Sequence, residues 1–271
     1  MSALTLTLRQ APEQRLDLSP LVPHLLAGRK AAEIGKISLQ TTRTPLCVGD
    51  VFRLRMGDAA HIRIEGAVER LDRIGHAMTD GEILVEGDVG AHAGRLMRGG
   101  SLVIRGSAGP WAGSAMVGGR LEILRDAGDH LGGPFAGETV GMRGGAIVVR
   151  GRAGARAADR MRRGTVVVEG ICGAYAGSRM IAGTLVALGR AGPLPGYLMK
   201  RGTIVLGADC EALSPTFIDC GVHALVAMRL MADFIAPHSR RAAACLRAPL
   251  RRFAGDMAVL GKGEIFVGTR S

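Results

Sequence analysis

The sequence has few aromatic residues, which make up 3% of the chain. Surfaces that bind single-stranded nucleic acid use aromatic rings for base stacking, so this shortage argues against such a surface and equally against an aromatic-lined sugar groove. The formal net charge of +11 still favours an acidic partner. Charge alone leaves nucleic acid, an anionic cofactor and an acidic protein surface open, and the shortage of aromatics leads us to expect no nucleic-acid partner.

Paired cysteines, a secretory signal and a membrane-spanning run are also missing from the sequence. The odd number of separated thiols is typical of a protein from the reducing cytoplasm, where cysteines pack as small hydrophobic residues. They are Cys47, Cys172, Cys210, Cys220 and Cys245. The longest apolar run, residues 222–236, contains charged residues and is too short to cross a bilayer. We therefore expect a cytoplasmic protein that does not contact a membrane.

Recognisable catalytic motifs are missing as well. The sequence contains no Gly-x-Ser-x-Gly elbow, no phosphate-binding loop with its lysine and no His-Glu-x-x-His helix. Glycoside-cleaving enzymes need a pair of converging carboxyl groups, whereas Asp and Glu are dispersed here. We predict that this chain carries no catalytic residue and no metal site.

What the sequence does contain is a glycine-rich segment that recurs at intervals of 19 residues. The repeats open at Gly81, Gly100, Gly119, Gly145, Gly164, Gly183 and Gly202. A methionine stands shortly before each of these glycines, at Met78, Met97, Met116, Met142, Met161, Met180 and Met199. A fixed period in this range predicts a repeat architecture. The methionines would fill its interior, because thioethers spread along a whole solenoid do not converge on one soft metal ion.

Each repeat contains the pattern Gly-x-aliphatic-x-aliphatic, whose period of two predicts a strand with one face inward. The inward pairs would be Ile83 and Val85, Leu102 and Ile104, Leu121 and Ile123, Ile147 and Val149, Val166 and Val168, Leu185 and Ala187, and Ile204 and Leu206. Stacking these strands gives a fold dominated by β structure. We predict a right-handed parallel β-helix of about seven 19-residue rungs, with glycines at its corners.

Three units are predicted along the chain. Residues 1–58 form an α/β N-terminal cap, residues 59–208 the repeat domain, and residues 209–271 a C-terminal helix and tail that pack on the solenoid. The pattern predicts a short helix over residues 18–26 and a strand over residues 48–54. Residues 220–236 are apolar nearly all round, which predicts a buried helix rather than a surface helix.

The residue between the two inward positions should face water, yet it is aliphatic in six of seven repeats. This outer column consists of Leu84, Val103, Glu122, Val148, Val167, Val186 and Val205. A strand that is apolar on both faces is normally covered. The cover could come from the helix over residues 220–236 or from a partner protein, so the six aliphatic residues are candidate partner contacts.

A basic column follows the methionines, at Arg98, Arg143, Arg162 and Lys200, with Arg163 and Arg201 beside it. It could be a solvated corner or a strip that meets an acidic partner or a polyanionic ligand.

One repeat is 26 residues long, and its seven extra residues are expected near residues 126–134. Asp126, Asp129 and His130 in this segment could ligate a metal, but three polar residues in a glycine-rich loop are more often solvated or in contact with a partner. We therefore take Asp129 and His130 as partner-contact candidates.

The repeat Gly-x-aliphatic-x-aliphatic-x-Gly-x-x-Gly-x-x-x-Gly-x-x-Met, clearest at residues 81–118 and 164–199, resembles the β-helix of two families. These are the C-terminal domain of the glutamate synthase alpha subunit and the C subunit of formylmethanofuran dehydrogenase. The flanking segments at residues 31–37 and 253–267 are similar to those of the second family. With both flanks included, the resemblance covers essentially the whole chain.

This resemblance implies a scaffold subunit of a hetero-oligomeric complex in one-carbon metabolism. The archaeal complex reduces CO2 on a tungsten or molybdenum pterin. The bacterial formyltransferase/hydrolase complex moves a formyl group from tetrahydromethanopterin to a methanofuran-type carrier and hydrolyses it to formate. With 31 arginines and four lysines, the composition is typical of a GC-rich bacterial genome and favours the bacterial complex.

In either complex the resemblance places the metal and the carrier in other subunits, namely an amidohydrolase-like A subunit, a B subunit and a formyltransferase D subunit. The carrier's acidic tail would suit the basic column. A stand-alone glutamate-synthase-like binding module and a β-helical enzyme that acts on acidic polymers remain as alternatives.

Overall fold

A computed structural model describes residues 2–41 and 43–269. Its strands are β1 Ala3–Leu8, β2 Leu16–Asp17, β3 Ser38–Thr41, β4 Leu46–Cys47, β5 Phe52–Arg55, β6 Asp58–Ala67, β7 Leu71–Asp72, β8 Glu82–Gly87, β9 Ser101–Ile104, β10 Arg120–Ile123, β11 Ala146–Val149, β12 Thr165–Val168, β13 Thr184–Ala187, β14 Arg201–Leu206, β15 Ile218–His223, β16 Leu250–Gly255 and β17 Lys262–Gly268. Its helices are α1 Pro23–Leu26, α2 Ala31–Gly35, α3 Val48–Val51, α4 Val226–Ile235 and α5 Arg240–Arg247.

The described chain is dominated by strands, and a large, mostly parallel sheet organises it. Thirteen strands follow the order β15-β16-β17-β14-β13-β12-β11-β10-β9-β8-β6-β1-β5. Strands β8 to β14 pair in parallel with their neighbours, and β6 and β17 extend the same parallel ladder at its two ends. A smaller sheet has the order β4-β3-β2-β7. The strand-dominated class is therefore confirmed, with few helices.

The predicted inward residues form the core. All seven aliphatic pairs of strands β8 to β14 are at most 1% exposed, and all seven methionines of the repeat are fully buried. Burial of seven methionine side chains contributes about 10–20 kcal/mol to folding, as an upper estimate. The interior of the repeats is thus apolar, as the period of two predicts.

Parallel pairing also joins the repeats away from the large sheet. A second ladder of single-residue bridges runs through Val89, Ala108, Ala127, Ala153, Cys172, Ala191 and Cys210. The buried thiol of Cys172 belongs to this ladder, and burial raises its pKa to about 12. The repeats are therefore bonded to one another outside the large sheet as well as within it, and no cysteine of the described chain is in a disulfide.

Glycines hold the corners where successive repeats approach most closely. A Cβ built on Gly106 would lie 2.3 Å from the carbonyl oxygen of Gly87, one repeat earlier. Glycine alone does not account for the corners, because fourteen other described residues also have positive φ. Most of them recur at two fixed positions of the repeat, such as Trp111 and Ala115. Left-handed backbone costs a non-glycine residue about 1 kcal/mol, so these positions depend on the surrounding ladder.

The N-terminal segment agrees only in part with its prediction. Helix α1 covers only the second half of the predicted residues 18–26, because it begins at Pro23. Before it, the carboxylate of Asp17 accepts the N–H of Ser19 and closes a local turn. The predicted strand over residues 48–54 is wrong in its first half, which forms the short helix α3. The three-unit division of the chain stays a prediction, and β1 of the predicted cap lies in the same sheet as the repeats.

The C-terminal segment departs further from its prediction. Residues 218–223 form strand β15, which pairs antiparallel with β16, and the pairing register shifts between Asp219 and Val222. The helical part consists of two helices, α4 and α5, instead of one. The prediction of a buried rather than a surface helix is wrong for one face of α4, because Val226, Leu230 and Phe234 are exposed.

Both helices lie against the outer face of the large sheet. Met228, Ala232 and Ile235 of α4 and Ala242, Ala243 and Leu246 of α5 form a second core with Val167, Val186, Val205 and Phe266. This small core is separate from the interior of the repeats and joins a helical layer to the later strands.

An ion-pair network fixes the edge of this helical layer. Glu122 accepts hydrogen bonds from Arg120 at 2.7 Å and from Arg150. Arg150 donates to Glu169 at 2.6 Å, and Glu169 in turn accepts the hydroxyl of Ser239, the N-cap of α5, at 2.6 Å. Burial alone would raise the pKa of Glu122, but the two arginines outweigh it and hold that pKa below its usual value.

We expect Gly106→Ala to destabilise the protein by at least about 2 kcal/mol, because the new Cβ would overlap backbone that cannot move aside. Gly35→Ala is the matched control, since the atoms nearest to its Cβ lie 3.8 Å away or more. In urea unfolding, the midpoint of Gly106→Ala should be lower than that of Gly35→Ala. Equal midpoints would contradict close repeat stacking at Gly106.

We expect Glu122→Gln to destabilise the helical layer by about 1–3 kcal/mol near pH 7, since the two arginines would lose their ionised acceptor. Because the pKa of Glu122 is lower in the folded than in the unfolded state, its contribution is present above the unfolded value of 4.5 and disappears as pH falls through the folded value.

Urea unfolding across this pH range tests the expectation. The difference between wild type and variant should narrow in acid, and a difference independent of pH would argue against the ion-pair network.

Candidate subunit interface

The outer column divides into a covered and an uncovered half. Strand pairing aligns its seven residues one beneath another, from Leu84 to Val205. From Val148 onward the column is fully buried within the chain. Three of its four valines pack under α4 and α5. The two helices account for the apolar residues at Val167, Val186 and Val205. All four valines are buried within the chain and are not accessible to a partner.

The earlier half has no such cover within the described chain. Leu84 and Val103 are only half-buried and line a surface cavity of about 460 Å³ together with His61, Arg63 and Ser101. Glu122, held by the ion-pair network, marks the border between the two halves. Partner contact at Leu84 and Val103 stays a prediction, and the surface they form is apolar with charged edges.

Ion pairs surround this uncovered half. Arg63 contacts Glu65 at 3.2 Å and Glu86 at 3.1 Å, and Arg105 contacts Glu86 at 3.2 Å. Because these positive and negative side chains pair with each other, the apolar surface formed by Leu84 and Val103 carries little net charge at its edges.

The basic column is straight and exposed. Each member donates its backbone N–H to the carbonyl of a methionine one repeat earlier; Arg98, for example, donates to Met78 and Lys200 to Met180. Its members Arg98, Arg143, Arg162 and Lys200 therefore stand in one line, spaced in multiples of about 4.8 Å. None of these four side chains has an acidic partner within 4.0 Å among the described residues. Val117 and Ile181 occupy the two remaining places of the line.

The seven-residue insertion lies later than predicted. Asp126, Asp129 and His130 occupy regular repeat positions, as shown by the bridge from Ala127 to Ala153 and the bond from His130 to the carbonyl of Ala155. The extra residues instead form a loop at about residues 133–139. Asp126 and Asp129 accept backbone N–H groups of the next repeat at 2.7 Å, so their carboxylates satisfy corner donors. The described residues contain no group of three or more side chains placed to hold a metal ion.

Next to this loop is a ring stack that our sequence reasoning missed. His92, Trp111 and His130 stack with centroid separations of 5.4 and 5.5 Å. Phe135 from the loop meets the first two rings edge-on. Burial lowers the pKa of both histidines, which favours neutral rings in the stack. Their 19-residue spacing was the signal that could have revealed the stack.

A salt bridge holds the same loop in place. Glu138 accepts two hydrogen bonds from Arg95, at 2.5 and 3.2 Å, and the guanidinium of Arg95 lies 5.3 Å from the centre of the Phe135 ring. These contacts, and the hydrogen bond of Arg95 to Ser114 at 3.0 Å, lower the freedom of the loop. Asp129 is exposed and His130 half-buried beside it, and their role as partner contacts stays a prediction.

No helix among the described residues is long and apolar enough to cross a membrane.

Comparison with known proteins gives a close relative over the full chain. The protein is 53% identical over 263 residues to the C subunit of the formyltransferase/hydrolase complex Fhc of Methylorubrum extorquens, covering 97% of this chain and 98% of the relative. A shorter match, 36% identical over 99 residues, joins it to the C subunit of the tungsten-containing formylmethanofuran dehydrogenase 2 of Methanothermobacter marburgensis. That match covers 35% of this chain and 37% of the relative. No family model matches.

A solved structure agrees with the first relative. The chain aligns with a TM-score of 0.92 and 43% identity to a chain in the crystal structure of the formyltransferase/hydrolase complex (FhcABCD) from Methylorubrum extorquens in complex with methylofuran. The alignment covers 98% of this chain and 100% of that chain. Identity, coverage and fold together show that the chain belongs to the family of Fhc C subunits, which is related to the C subunits of formylmethanofuran dehydrogenases.

Proposed function

We propose that this protein is the C subunit of a formyltransferase/hydrolase complex and acts there as a scaffold. The observation that carries the proposal is the full-length match in sequence and fold to the C subunit of the FhcABCD complex. Its partners would be the A, B and D subunits. The complex would transfer a formyl group from tetrahydromethanopterin to a methanofuran-type carrier and hydrolyse it to formate.

The chemistry would belong to the partner subunits, together with the carrier and the metal. The polar side chains of this chain support that division, because many of them are committed to its own backbone. Asp72 and Asp88, like Asp126 and Asp129, accept N–H groups one repeat later at 2.7 Å. Carboxylates held in this way stabilise corners and are poorly placed for proton transfer.

For the fold, we infer a right-handed parallel β-helix. Two parallel ladders, one of strands and one of single bridges, repeat at 19-residue intervals, and the methionines lie between them in the core. Right-handed connection between parallel strands is the general rule and supports the handedness. An experimental map of the complex that showed left-handed turns, or a flat open sheet, would exclude this geometry.

The uncovered surfaces are the proposed contacts with the rest of the complex. The apolar area around Leu84 and Val103 suits a protein surface, as do Asp129 and His130 next to the insertion. The basic column suits an acidic protein surface or a polyanionic ligand, because its cations lack acidic partners in the described chain. The free thiols support a cytoplasmic location.

Two alternatives remain to be separated. Membership of a tungsten or molybdenum formylmethanofuran dehydrogenase is less favoured, since the matches to that group cover about a third of the chain. A stand-alone module similar to the glutamate synthase domain would be a monomer without partners.

We expect a tagged copy of this protein, purified from its native cells, to bring down three other subunits in fixed ratio. Formyl transfer and hydrolysis should be found in the assembled complex and not in the isolated chain. Mass spectrometry would identify the co-purified subunits, and size-exclusion chromatography would show whether they form one complex. A monomer that retains no partner, or turnover by the isolated chain, would contradict the scaffold proposal.

We expect the double variant Arg143→Glu/Arg162→Glu to shift the assembly curve most at low salt, where the reversed charges repel an acidic surface most strongly, and to approach wild type as salt screens that repulsion. Arg29→Glu, also exposed but outside the column, is the control. A salt titration followed by light scattering would show the shift. Identical curves for all three proteins would remove the basic column from the interface.

A further inference from the structure

Helix α4 has two opposite apolar faces. Its inner face, with Met228, Ala232 and Ile235, is at most 5% exposed and packs on the sheet. On the outer face, Val226, Leu230 and Phe234 follow one another at intervals of four residues and are 68, 67 and 64% exposed. This spacing places them in one row along the helix. A helix that is apolar all round is normally buried on all sides.

Helix α5 provides an internal comparison in the same layer. Its inner residues Ala242, Ala243 and Leu246 are buried, while its outer residues Arg240, Arg241 and Arg247 are charged and exposed. Thus α5 has the ordinary composition of a surface helix and α4 does not. The row on α4 is therefore a local feature and not a general property of the helical layer.

Among the charged residues of α4 and α5, those without an ion-pair partner in the described chain are positive. Arg229 and Arg240 are exposed, and neither has an acidic side chain within 4.0 Å among the described residues. Asp233, the one acidic residue of α4, is paired with Arg247 at 2.6 Å. Two copies of this chain facing each other through α4 would bring like charges together, which disfavours self-association. A partner with carboxylates around an apolar centre would be complementary.

The C-terminal end of the row is fixed by contacts with neighbouring residues. The residues just after α4 contact the sheet, since Arg120 reaches the carbonyl of Pro237 at 3.4 Å and the ring of His238 at 3.5 Å. The ring of Phe234 meets that of His238 edge-on at 6.2 Å. A side chain that is already ordered, as Phe234 is, loses little conformational entropy on binding, which favours a stable interface.

We propose that the outer face of α4 docks into an apolar groove, rimmed by carboxylates, on a different subunit of the complex. This inference rests on the proposed function and specifies one contact surface of the scaffold. Leu230, at the centre of the row, is the anchor, Val226 and Phe234 flank it, and Arg229 and Arg240 meet the acidic rim. The helical layer would then have two roles, since its inner face covers the outer column and its outer face binds the partner.

The test uses the complex purified with wild-type protein and with the variants Leu230→Gln, Phe234→Gln and Ala244→Gln. We expect each of the first two to raise the dissociation constant of this protein from the complex at least about tenfold, as loss of a central apolar anchor does. Ala244→Gln on α5 is the control, because Ala244 is exposed outside the row. Thermal unfolding of the isolated variants should match wild type, since the changed side chains make few contacts within the chain.

A second measurement identifies the protein that contacts the outer face of α4. A photo-crosslinking residue at position 230 should form a bond to another subunit, and Arg229→Glu should weaken assembly more at low than at high salt. Unchanged affinity for Leu230→Gln, or a crosslink to a second copy of this chain, would overturn the proposal. If the wild-type chain brings down no partners at all, the proposed function itself fails, and that result is distinct from a row that is not used.

Discussion

The fold depends on close parallel stacking of backbone repeats. Each repeat donates hydrogen bonds to the one before it along the strands and again at the single-residue bridges, so neighbouring backbones must approach closely at every corner. Glycines such as Gly106 permit this approach where a Cβ would meet a carbonyl oxygen. The methionines fill the space left between the ladders. Aliphatic core, corner carboxylates and outer column all follow from this stacking, because it places equivalent residues of successive repeats in contact.

The same stacking separates structural from interaction surfaces. One outer column begins at Leu84 and continues to Val205, but its two halves have different neighbours. Three of the four valines of the later half pack under α4 and α5, and Glu122 with its ion-pair network lies at the border. The earlier half, the basic column and the outer row of α4 remain accessible. A scaffold protein needs several such surfaces, and their different chemistry would let each select a different partner.

The sequence predicted the repeat and its interior well, because a strict period determines which residues face inward. It also located the apolar outer column. The sequence was less informative where contacts depend on segments distant in the chain. Which face of α4 is covered depends on how the helix packs on the sheet, and both of its faces are apolar in sequence. The site of the insertion was misplaced because Asp126, Asp129 and His130 look loop-like in sequence, whereas their backbone keeps the regular register. The ring stack of His92, Trp111 and His130 was overlooked because the residue types differ along it.

The antiparallel strands at the ends of the sheet have a consequence for assembly. A parallel ladder has no intrinsic length, since each exposed edge can accept another strand of the same kind. Here the last positions are taken by β5 at one end and by β16 and β15 at the other, and the register shift between Asp219 and Val222 makes the final edge irregular. Such edges are poor templates for a further repeat. The chain therefore sets its own length and can join a complex of defined size without growing into filaments.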